Sequence, residues 1–156
     1  MAVELDTLKK ISIENMKEGI SLRVKEAALE LIKRAYTENI YVKITSGFRG
    51  MEEQAALYGQ GRKTYVYNGK DYGDPTKPKV TNAKPGESTH NIGLAIDFVL
   101  VSEDGRQVLW DVNNNWIRVA NIGKELGFQW GGDWTSFKDY PHLEMKEGIL
   151  SPSPSR

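Results

Sequence analysis

The chain contains two histidines, His90 and His142, and each lies near acidic residues. His90 opens the stretch His-Asn-Ile-Gly-Leu-Ala-Ile-Asp, whose final carboxylate, Asp97, is flanked by Ile96 and Phe98. An ionised carboxylate inside such an apolar run is costly to bury unless another charge compensates it. A divalent cation would provide that compensation. The side chains of His90, Asp97 and His142 are therefore candidate metal ligands.

Two imidazoles and one carboxylate form a ligand set that suits catalytic Zn²⁺. Three protein ligands leave the fourth tetrahedral position for water, and zinc lowers the pKa of that water toward neutrality. The reaction then needs a general base near the water. Asp139 is the first choice, because Pro141 favours an extended chain and would hold Asp139 at a defined separation from His142. Glu144 is the reserve, since strand alternation puts it on the same face as His142.

Attack of such a water on a carbonyl also needs positive charge where the oxyanion develops. Arg49 is the candidate, because it follows a predicted strand in a turn flanked by Gly47 and Gly50. Each candidate also has a plain structural interpretation. His90 could be a loop residue, Asp97 an exposed residue of an edge strand, and Arg49 an ordinary surface arginine. Asp139 could be a turn residue and His142 a solvent-facing strand residue.

Helices and a strand are predicted in the first part of the chain. Helical periodicity covers residues 5–36 and is clearest from Leu22 to Tyr36. Ile40 to Ile44 alternates apolar and polar residues, as a half-buried strand does. Met51 to Tyr58 is predicted to be a short helix with acidic residues in its first turn. Residues 59–87, rich in glycine, proline and lysine, are predicted to form a long surface loop.

The second part of the chain adds strands and one more helix. The apolar run from Leu94 to Val101 predicts a central strand. A helix is predicted from Trp116 to Leu126, with Asn115 as its N-cap. Phe128 to Trp130 and His142 to Met145 are predicted to be short strands. Helices followed by strands and a further helix indicate an α+β fold.

Composition limits the classes of protein that fit. The 156 residues suit one domain, and 39% hydrophobic with 27% charged residues is typical of globular proteins. Lys plus Arg and Asp plus Glu both number 21, which argues against a general nucleic-acid binder. The absence of cysteine excludes disulfides and thiolate ligands. We expect one domain over residues 1–150, and a Ser/Pro-rich segment at 151–156 that starts a linker.

The motifs together resemble the LAS/M15 metallopeptidases, and among them the L-alanyl-D-glutamate endopeptidases of bacteriophage endolysins and related Bacillus cell-wall enzymes. The resemblance covers most of the chain, from Leu31 to about Met145. Its central motifs are Ser88-x-His90-x-x-Gly93-x-Ala95-x-Asp97 and Asp139-x-Pro141-His142. Further matching segments are Ser46–Arg49, Glu53–Tyr58, Val80–Ala83 and the run that begins at Trp130-Gly131-Gly132-Asp133-Trp134.

The resemblance implies a small antiparallel sheet flanked by helices, the LAS/hedgehog-like zinc peptidase fold, with residues 1–150 as the catalytic domain. It implies zinc ligands at His90, Asp97 and His142 and a catalytic base at Asp139. It also implies that Arg49 contacts the substrate or the developing oxyanion. Two further residues match the motifs: Ser88 is expected to hydrogen-bond a ligand or the substrate, and Gln54 lies behind Arg49.

The activity implied is zinc-dependent hydrolysis of the L-Ala–D-Glu bond in peptidoglycan stem peptides, which causes bacterial cell-wall lysis. Two alternatives stay open: a D,D-carboxypeptidase of the same superfamily, and a zinc-containing cell-wall-binding module without catalysis. A plain globular protein without a metal is the remaining interpretation. The segment from Tyr65 to Lys79 is longer than in the relatives. This loop could change access of the substrate, and with it the bond that is cut, so the bond specificity is given as an expectation.

Partners and localisation are expectations of the same kind. The predicted partner is the peptidoglycan peptide, with no nucleic acid and no membrane-spanning segment, because no apolar run reaches about 20 residues. We expect a monomer from which a C-terminal cell-wall-binding domain is absent or was removed. The acidic N-terminus does not resemble a signal peptide. We therefore expect synthesis in the host cytoplasm and action on the cell wall after release.

Overall fold

The computed structural model describes residues 1–146 and confirms the α+β fold, a small antiparallel sheet with helices packed on it. The predicted linker at 151–156 lies outside the described residues. The helices are α1 (Leu5–Met16), α2 (Leu22–Thr37), α3 (Met51–Gly59) and α4 (Asn114–Glu125). The strands are β1 (Tyr41–Ser46), β2 (Val66–Tyr67), β3 (Lys70–Asp71), β4 (Ala95–Val101), β5 (Val108–Leu109), β6 (Gln129–Trp130) and β7 (His142–Glu144). Short 3₁₀ turns are formed by Thr89–Ile92 and Gly131–Asp133.

The main sheet is built around β4, as the apolar run in the sequence predicts. Its strands lie in the order β1-β4-β7-β6, β5 pairs with the C-terminal end of β4, and every pairing is antiparallel. The register sets Asp97 of β4 opposite His142 of β7 on one side and Ser46 of β1 on the other. Asp97 is therefore a residue of the central strand, and the edge-strand interpretation is wrong.

The predicted apolar face of α2 is confirmed. Its residues Val24, Ala28, Leu31 and Ala35 are fully buried, because α2 packs against α1, α4 and β1. On β4 the ring of Phe98 lies against Trp116 of α4, with ring centroids 5.0 Å apart. These side-chain contacts fix the position of β4 against the helices. No helix among residues 1–146 is long and apolar enough to cross a lipid bilayer.

The start of α4 differs from the prediction. The side chain of Asn113, not Asn115, caps the helix, since its Oδ1 accepts hydrogen bonds from the backbone N–H of Asn115 at 3.0 Å and of Trp116 at 3.4 Å. The helix accordingly begins at Asn114. Three consecutive asparagines are all competent caps, so residue type alone did not select the right one.

The long loop over residues 59–87 contains a two-stranded hairpin that the sequence analysis missed. Strands β2 and β3 are joined by Asn68-Gly69, both with positive φ. Asn-Gly between two short strands is the usual signal for this tight turn, so the signal was present. The returning end of the loop is tied to α3, because Arg62 stacks on the Tyr58 ring at 3.7 Å and donates to the Thr81 carbonyl.

Gly93 allows the turn that carries His90 to pack closely against the connection between α1 and α2. Its φ is +73°, and a Cβ at this position would lie 2.3 Å from the carbonyl oxygen of Gly19. The Gly93 carbonyl also accepts a hydrogen bond from the Ser21 backbone N–H at 3.0 Å. A side chain here would therefore separate two backbones that are in direct contact.

We expect Gly93→Ala to lower the free energy of unfolding by more than about 2 kcal/mol, because the left-handed conformation and the clash both oppose it. Chemical denaturation measures the loss. Gly69→Ala is the matched control, since Gly69 has φ +81° and no atom within 4 Å of the added Cβ. It should lose about 1 kcal/mol. Equal losses in the two variants would show that the Gly93 contact contributes nothing.

Candidate active site

His90, Asp97 and His142 converge at the N-terminal half of β4, as the sequence analysis predicts. Nε2 of His90 and Nδ1 of His142 each lie 3.4 Å from Oδ1 of Asp97. One ligand atom from each residue lies within 4.8 Å of the other two. A tetrahedral zinc ion with bonds of about 2.0–2.1 Å holds its ligand atoms roughly 3.3 Å apart. The three side chains can therefore share one ion with little movement.

Hydrogen bonds to the second nitrogen fix which nitrogen of each imidazole is free. Nδ1 of His90 lies 2.8 Å from the carbonyl oxygen of Gly47, which can only accept, so Nδ1 carries the proton. Nε2 of His142 lies 2.6 Å from Oε1 of Glu144, and it donates to that carboxylate for the same reason. The nitrogens left for a metal are Nε2 of His90 and Nδ1 of His142. These are the nitrogens that face Asp97.

The buried Oδ1 atom of Asp97 is better satisfied by a bound metal than by the surrounding protein groups alone. It is the buried side-chain oxygen that, among residues 1–146, has no hydrogen-bond partner. Burial raises the pKa of Asp97, but the two imidazoles outweigh burial and hold the pKa well below its usual range, so the carboxylate is charged. An unpartnered carboxylate oxygen between two imidazole nitrogens is a donor set that zinc accepts. Residues and geometry thus fit a bound zinc ion.

The turn that carries His90 is fixed from both ends. Ser88 caps it, because its Oγ accepts a hydrogen bond from the His90 backbone N–H at 3.2 Å. The Arg49 backbone N–H donates to the His90 carbonyl at 2.9 Å, and the Asn91 side chain donates to the Arg49 carbonyl at 2.8 Å. Ser88 thus acts on the backbone of a ligand residue, and the segments with Arg49 and His90 are joined directly.

Arg49 reaches the ligand cluster and is held by the side chain behind it. Its Nη1 donates to Oε1 of Gln54 at 2.9 Å, and its Nη2 lies 3.8 Å from Oδ2 of Asp97. Gln54 is completely buried and donates in turn to the Ala83 carbonyl at 2.8 Å. The Arg49 side chain is only 14% exposed, which rules out the ordinary surface arginine of the simpler interpretation. Gln54 therefore connects Arg49 to the end of the long loop.

Asp139 lies on the wall of the same cavity. Its backbone N–H donates to the Gly131 carbonyl at 3.1 Å, and its own carbonyl accepts from the His142 N–H at 3.1 Å. A Cβ on Gly131 would lie 2.3 Å from the Asp139 carbonyl oxygen, so only glycine allows this approach. Partial burial of the carboxyl, and then the negative charge of Asp97, raise the pKa of Asp139. A carboxylate with a raised pKa is better matched to proton transfer near neutral pH.

Glu144 occupies the position that alternation predicts, but its contacts differ from those expected of a base. Its Oε1 accepts hydrogen bonds from Nε2 of His142 at 2.6 Å and from Oγ1 of Thr89 at 3.2 Å. The carboxylate therefore links the strand that carries His142 to the turn that carries His90. Sequence reasoning missed Thr89 altogether, although it is next to His90 in the chain.

The cluster opens into a cavity of about 1150 Å³, which is large enough for a peptide. The cavity is lined by Arg49 and Asp139 and by residues of the long loop such as Lys79 and Val80. Two aromatic residues that the sequence analysis did not single out also line it. Trp134 lies with its ring centroid 5.2 Å from that of His142, and Phe137 is 81% exposed.

The chain is similar in sequence to known peptidases. The peptidase M15 model described as D-alanyl-D-alanine carboxypeptidase matches residues 81–145. The chain is 46% identical over 132 residues to the peptidoglycan L-alanyl-D-glutamate endopeptidase CwlK of Bacillus subtilis, and the match covers 78% of this chain and 71% of that protein. The chain belongs to the peptidase M15 family. Zinc is the cofactor of this family, and the His90–Asp97–His142 cluster of this M15 peptidase can bind a metal.

More distant relatives agree with that assignment. The M15 peptidase is 31% identical over 123 residues to the L-alanyl-D-glutamate peptidase of Listeria phage A118, covering 78% of this chain and 36% of the phage protein. The chain thus spans about a third of that relative's length.

Solved structures show the same fold at low identity. The L-Ala D-Glu endopeptidase ChiX of Serratia marcescens aligns with TM-score 0.55, 21% identity and 88% coverage of both chains. The D,D-pentapeptidase VanY in complex with Zn(II) aligns with TM-score 0.57 and 20% identity, covering 81% of this chain and 72% of that one.

The protonation of His142 leads to a prediction about zinc binding. Burial lowers the pKa of His142, but hydrogen bonds and charge from Asp97 and Glu144 outweigh burial and raise it to about 9 in the metal-free protein. Its Nδ1 must lose a proton to bind zinc. We expect release of about one proton per zinc near pH 7, and affinity that rises up to about tenfold per pH unit below pH 9. Calorimetry in buffers of different ionisation enthalpy measures the proton.

Glu144→Gln is the comparison variant for this measurement. It removes one of the two negative charges that raise the pKa of His142, so proton release near neutral pH should decrease. Zinc binding by the wild-type chain with no proton release would contradict the account of His142.

Proposed function

We propose that this M15 peptidase is a zinc-dependent endopeptidase that hydrolyses the L-Ala–D-Glu bond of peptidoglycan stem peptides and thereby lyses bacterial cell walls. The observation that carries the proposal is the His90–Asp97–His142 cluster at the base of an open cavity, with Asp139 on its wall. Identity of 46% to an L-alanyl-D-glutamate endopeptidase supports this bond over others.

Each residue of the site has a role that its contacts support. We assign His90, Asp97 and His142 as zinc ligands, since their free atoms face one another. Zinc held by these three side chains would polarise the scissile carbonyl and favour deprotonation of a water molecule. Asp139 is the general base, because its carboxyl faces the cavity without being part of the ligand cluster. It accepts the proton of the attacking water and passes it to the leaving amine.

Positive charge in the cavity suits the acidic part of the substrate. The guanidinium of Arg49, oriented by Gln54, lies where it can stabilise negative charge on the attacked carbonyl or bind a substrate carboxylate. Lys79 of the long loop and Lys138 also line the cavity. The D-Glu residue of the stem peptide keeps one free carboxylate that these cations can pair with.

Glu144 is assigned as the carboxylate that orients His142. It accepts from the imidazole nitrogen that does not face Asp97, and such bonds fix the tautomer and the direction of a ligating histidine. The reserve role of general base is less suitable, since its Oε1 is engaged by both His142 and Thr89.

The alternatives have less support. D,D-carboxypeptidase activity is named in the description of the matching family model, whereas the relatives at 46% and 31% identity are named for the L-Ala–D-Glu bond. A zinc-containing binding module without catalysis would need neither Asp139 nor a partly buried Arg49 beside its ligands. The monomeric state and release from the cytoplasm stay predictions.

Digestion of purified peptidoglycan tests the bond. We expect new N-terminal Glu on the released peptides, with no free D-Ala, and loss of both lysis and product on chelation, restored by Zn²⁺. Mass spectrometry with N-terminal labelling identifies the products. Free D-Ala as the main product would mean carboxypeptidase action, and wall binding without any product would mean a binding module.

Substitution of the two carboxylates separates their roles. Asp139→Asn should keep zinc affinity and lower kcat about 10²- to 10⁴-fold, because the general base is lost. Glu144→Gln should weaken zinc affinity about 10- to 100-fold and keep most of kcat at saturating zinc. Zinc titration and kinetics on a stem peptide measure both quantities. The opposite pattern would make Glu144 the base and Asp139 the orienting residue.

A further inference from the structure

A second cavity adjoins the catalytic cavity and has no part in the chemistry assigned above. We call it the tryptophan pocket; its volume is about 370 Å³, and it is lined by Lys124, Phe128, Gln129, Trp130, Asp133 and Trp134. Trp134 lines both cavities. Because the Trp134 ring lies 5.2 Å from the ring of His142, the pocket begins within one side chain of the ligand cluster.

The walls of the tryptophan pocket are aromatic and held in place. Phe128 and Trp130 are buried in the core, and Nε1 of Trp130 donates to the Tyr140 carbonyl at 2.7 Å. Trp134 is 38% exposed, so part of its ring is free to contact a ligand. A volume of this size with fixed aromatic walls is within the range of small-molecule sites.

The rim of the tryptophan pocket is polar. Nζ of Lys124 pairs with Oδ2 of Asp133 at 2.7 Å, and both side chains are about half exposed. Gln129 adds an exposed amide. An aromatic surface bordered by hydrogen-bonding groups matches a pyranose ring, whose C–H faces are apolar and whose edge carries hydroxyl and acetamido groups.

The proposed substrate brings such a ring close to the reaction. In peptidoglycan the nitrogen of L-Ala is acylated by the lactyl group of N-acetylmuramic acid. The carbonyl attacked in L-Ala–D-Glu hydrolysis is therefore about one residue length, roughly 3.5 Å, from the lactyl carbonyl. The sugar follows directly, so it must lie at or next to the wall of the catalytic cavity.

We propose that the tryptophan pocket binds the N-acetylmuramic acid ring of the substrate, with Trp134 as the shared wall. The assignment rests on the proposed function, because only cleavage at L-Ala places the sugar this near. Binding of the ring orients the scissile carbonyl and adds affinity that a free peptide lacks. The enzyme then prefers stem peptides that are still attached to the glycan.

The other exposed aromatic residue of the catalytic cavity is Phe137, which lies two residues before Asp139. It is the alternative aromatic surface against which the sugar could pack. The tryptophan pocket is favoured because it adds hydrogen-bonding groups to its aromatic walls. The experiment is designed to separate these two positions.

Two substrates that differ only in the sugar ring test the proposal on the zinc-loaded full chain. Both contain the same stem tripeptide, with either N-acetylmuramic acid or a bare lactyl group on the L-Ala nitrogen. We expect kcat/KM to be roughly tenfold higher for the muramyl substrate. Equal values in the wild-type enzyme would overturn the pocket assignment while leaving the proposed function intact. Failure to cut either substrate at L-Ala–D-Glu would refute the proposed function and the assignment with it.

Variants locate the preference. The double variant Lys124→Ala/Asp133→Ala removes both charges of the rim together, and Gln129→Ala removes the amide without touching the core. We expect the muramyl preference to fall toward unity in each, mainly through KM, while the ratio stays at the wild-type value in Trp110→Ala. Trp110 is a suitable control because it is 66% exposed and lines neither cavity.

Phe137→Ala provides the decisive contrast. It should leave the ratio between the two substrates as it is in the wild type. If Phe137→Ala removes the muramyl preference and the rim variants keep it, the sugar packs against Phe137 and the assignment is wrong. Should the rim variants lose activity on both substrates by the same factor, the pocket has a structural role only.

Discussion

The partial burial of one carboxylate in the central strand, with its Oδ1 atom fully buried, governs the arrangement of this protein. Asp97 points its Oδ1 at two imidazole nitrogens, and within residues 1–146 that oxygen has no hydrogen-bond donor. Removing a charged group from water costs several kcal/mol unless other charges compensate it. Zinc bound between the three side chains would supply that compensation, and folding and metal binding would then be coupled at this site.

Strand pairing and a set of hydrogen bonds place the two candidate ligand histidines beside this carboxylate. The register of β4 with β7 places His142 opposite Asp97, and the turn capped by Ser88 places His90 beside them. Gly47 and Glu144 then select which nitrogen of each ring is free. The same segments position Arg49 and Asp139, so the groups assigned to chemistry stand on rigid parts of the fold.

The sequence predicted the candidate ligands and most elements because their signals are local. Asp97 in an apolar run and the helical spacing in α2 are visible in short windows of residues. The convergence of Asp97 with His142 depends on strand register, which the sequence suggested only through resemblance to a family. The Glu144–Thr89 link could not be predicted, since it joins residues 55 positions apart. The cap at Asn113 was missed because three equivalent asparagines adjoin, and the Asn68-Gly69 hairpin because the loop was considered as a whole.

The central claim is that three side chains share one ion. Anomalous diffraction at the zinc absorption edge, from crystals of the zinc-loaded chain, tests this most directly. The account predicts one strong peak per chain, about 2.0–2.2 Å from Nε2 of His90, Nδ1 of His142 and a carboxylate oxygen of Asp97. A peak that lies elsewhere, that leaves Asp97 unliganded, or that involves the opposite nitrogen of either histidine would contradict it.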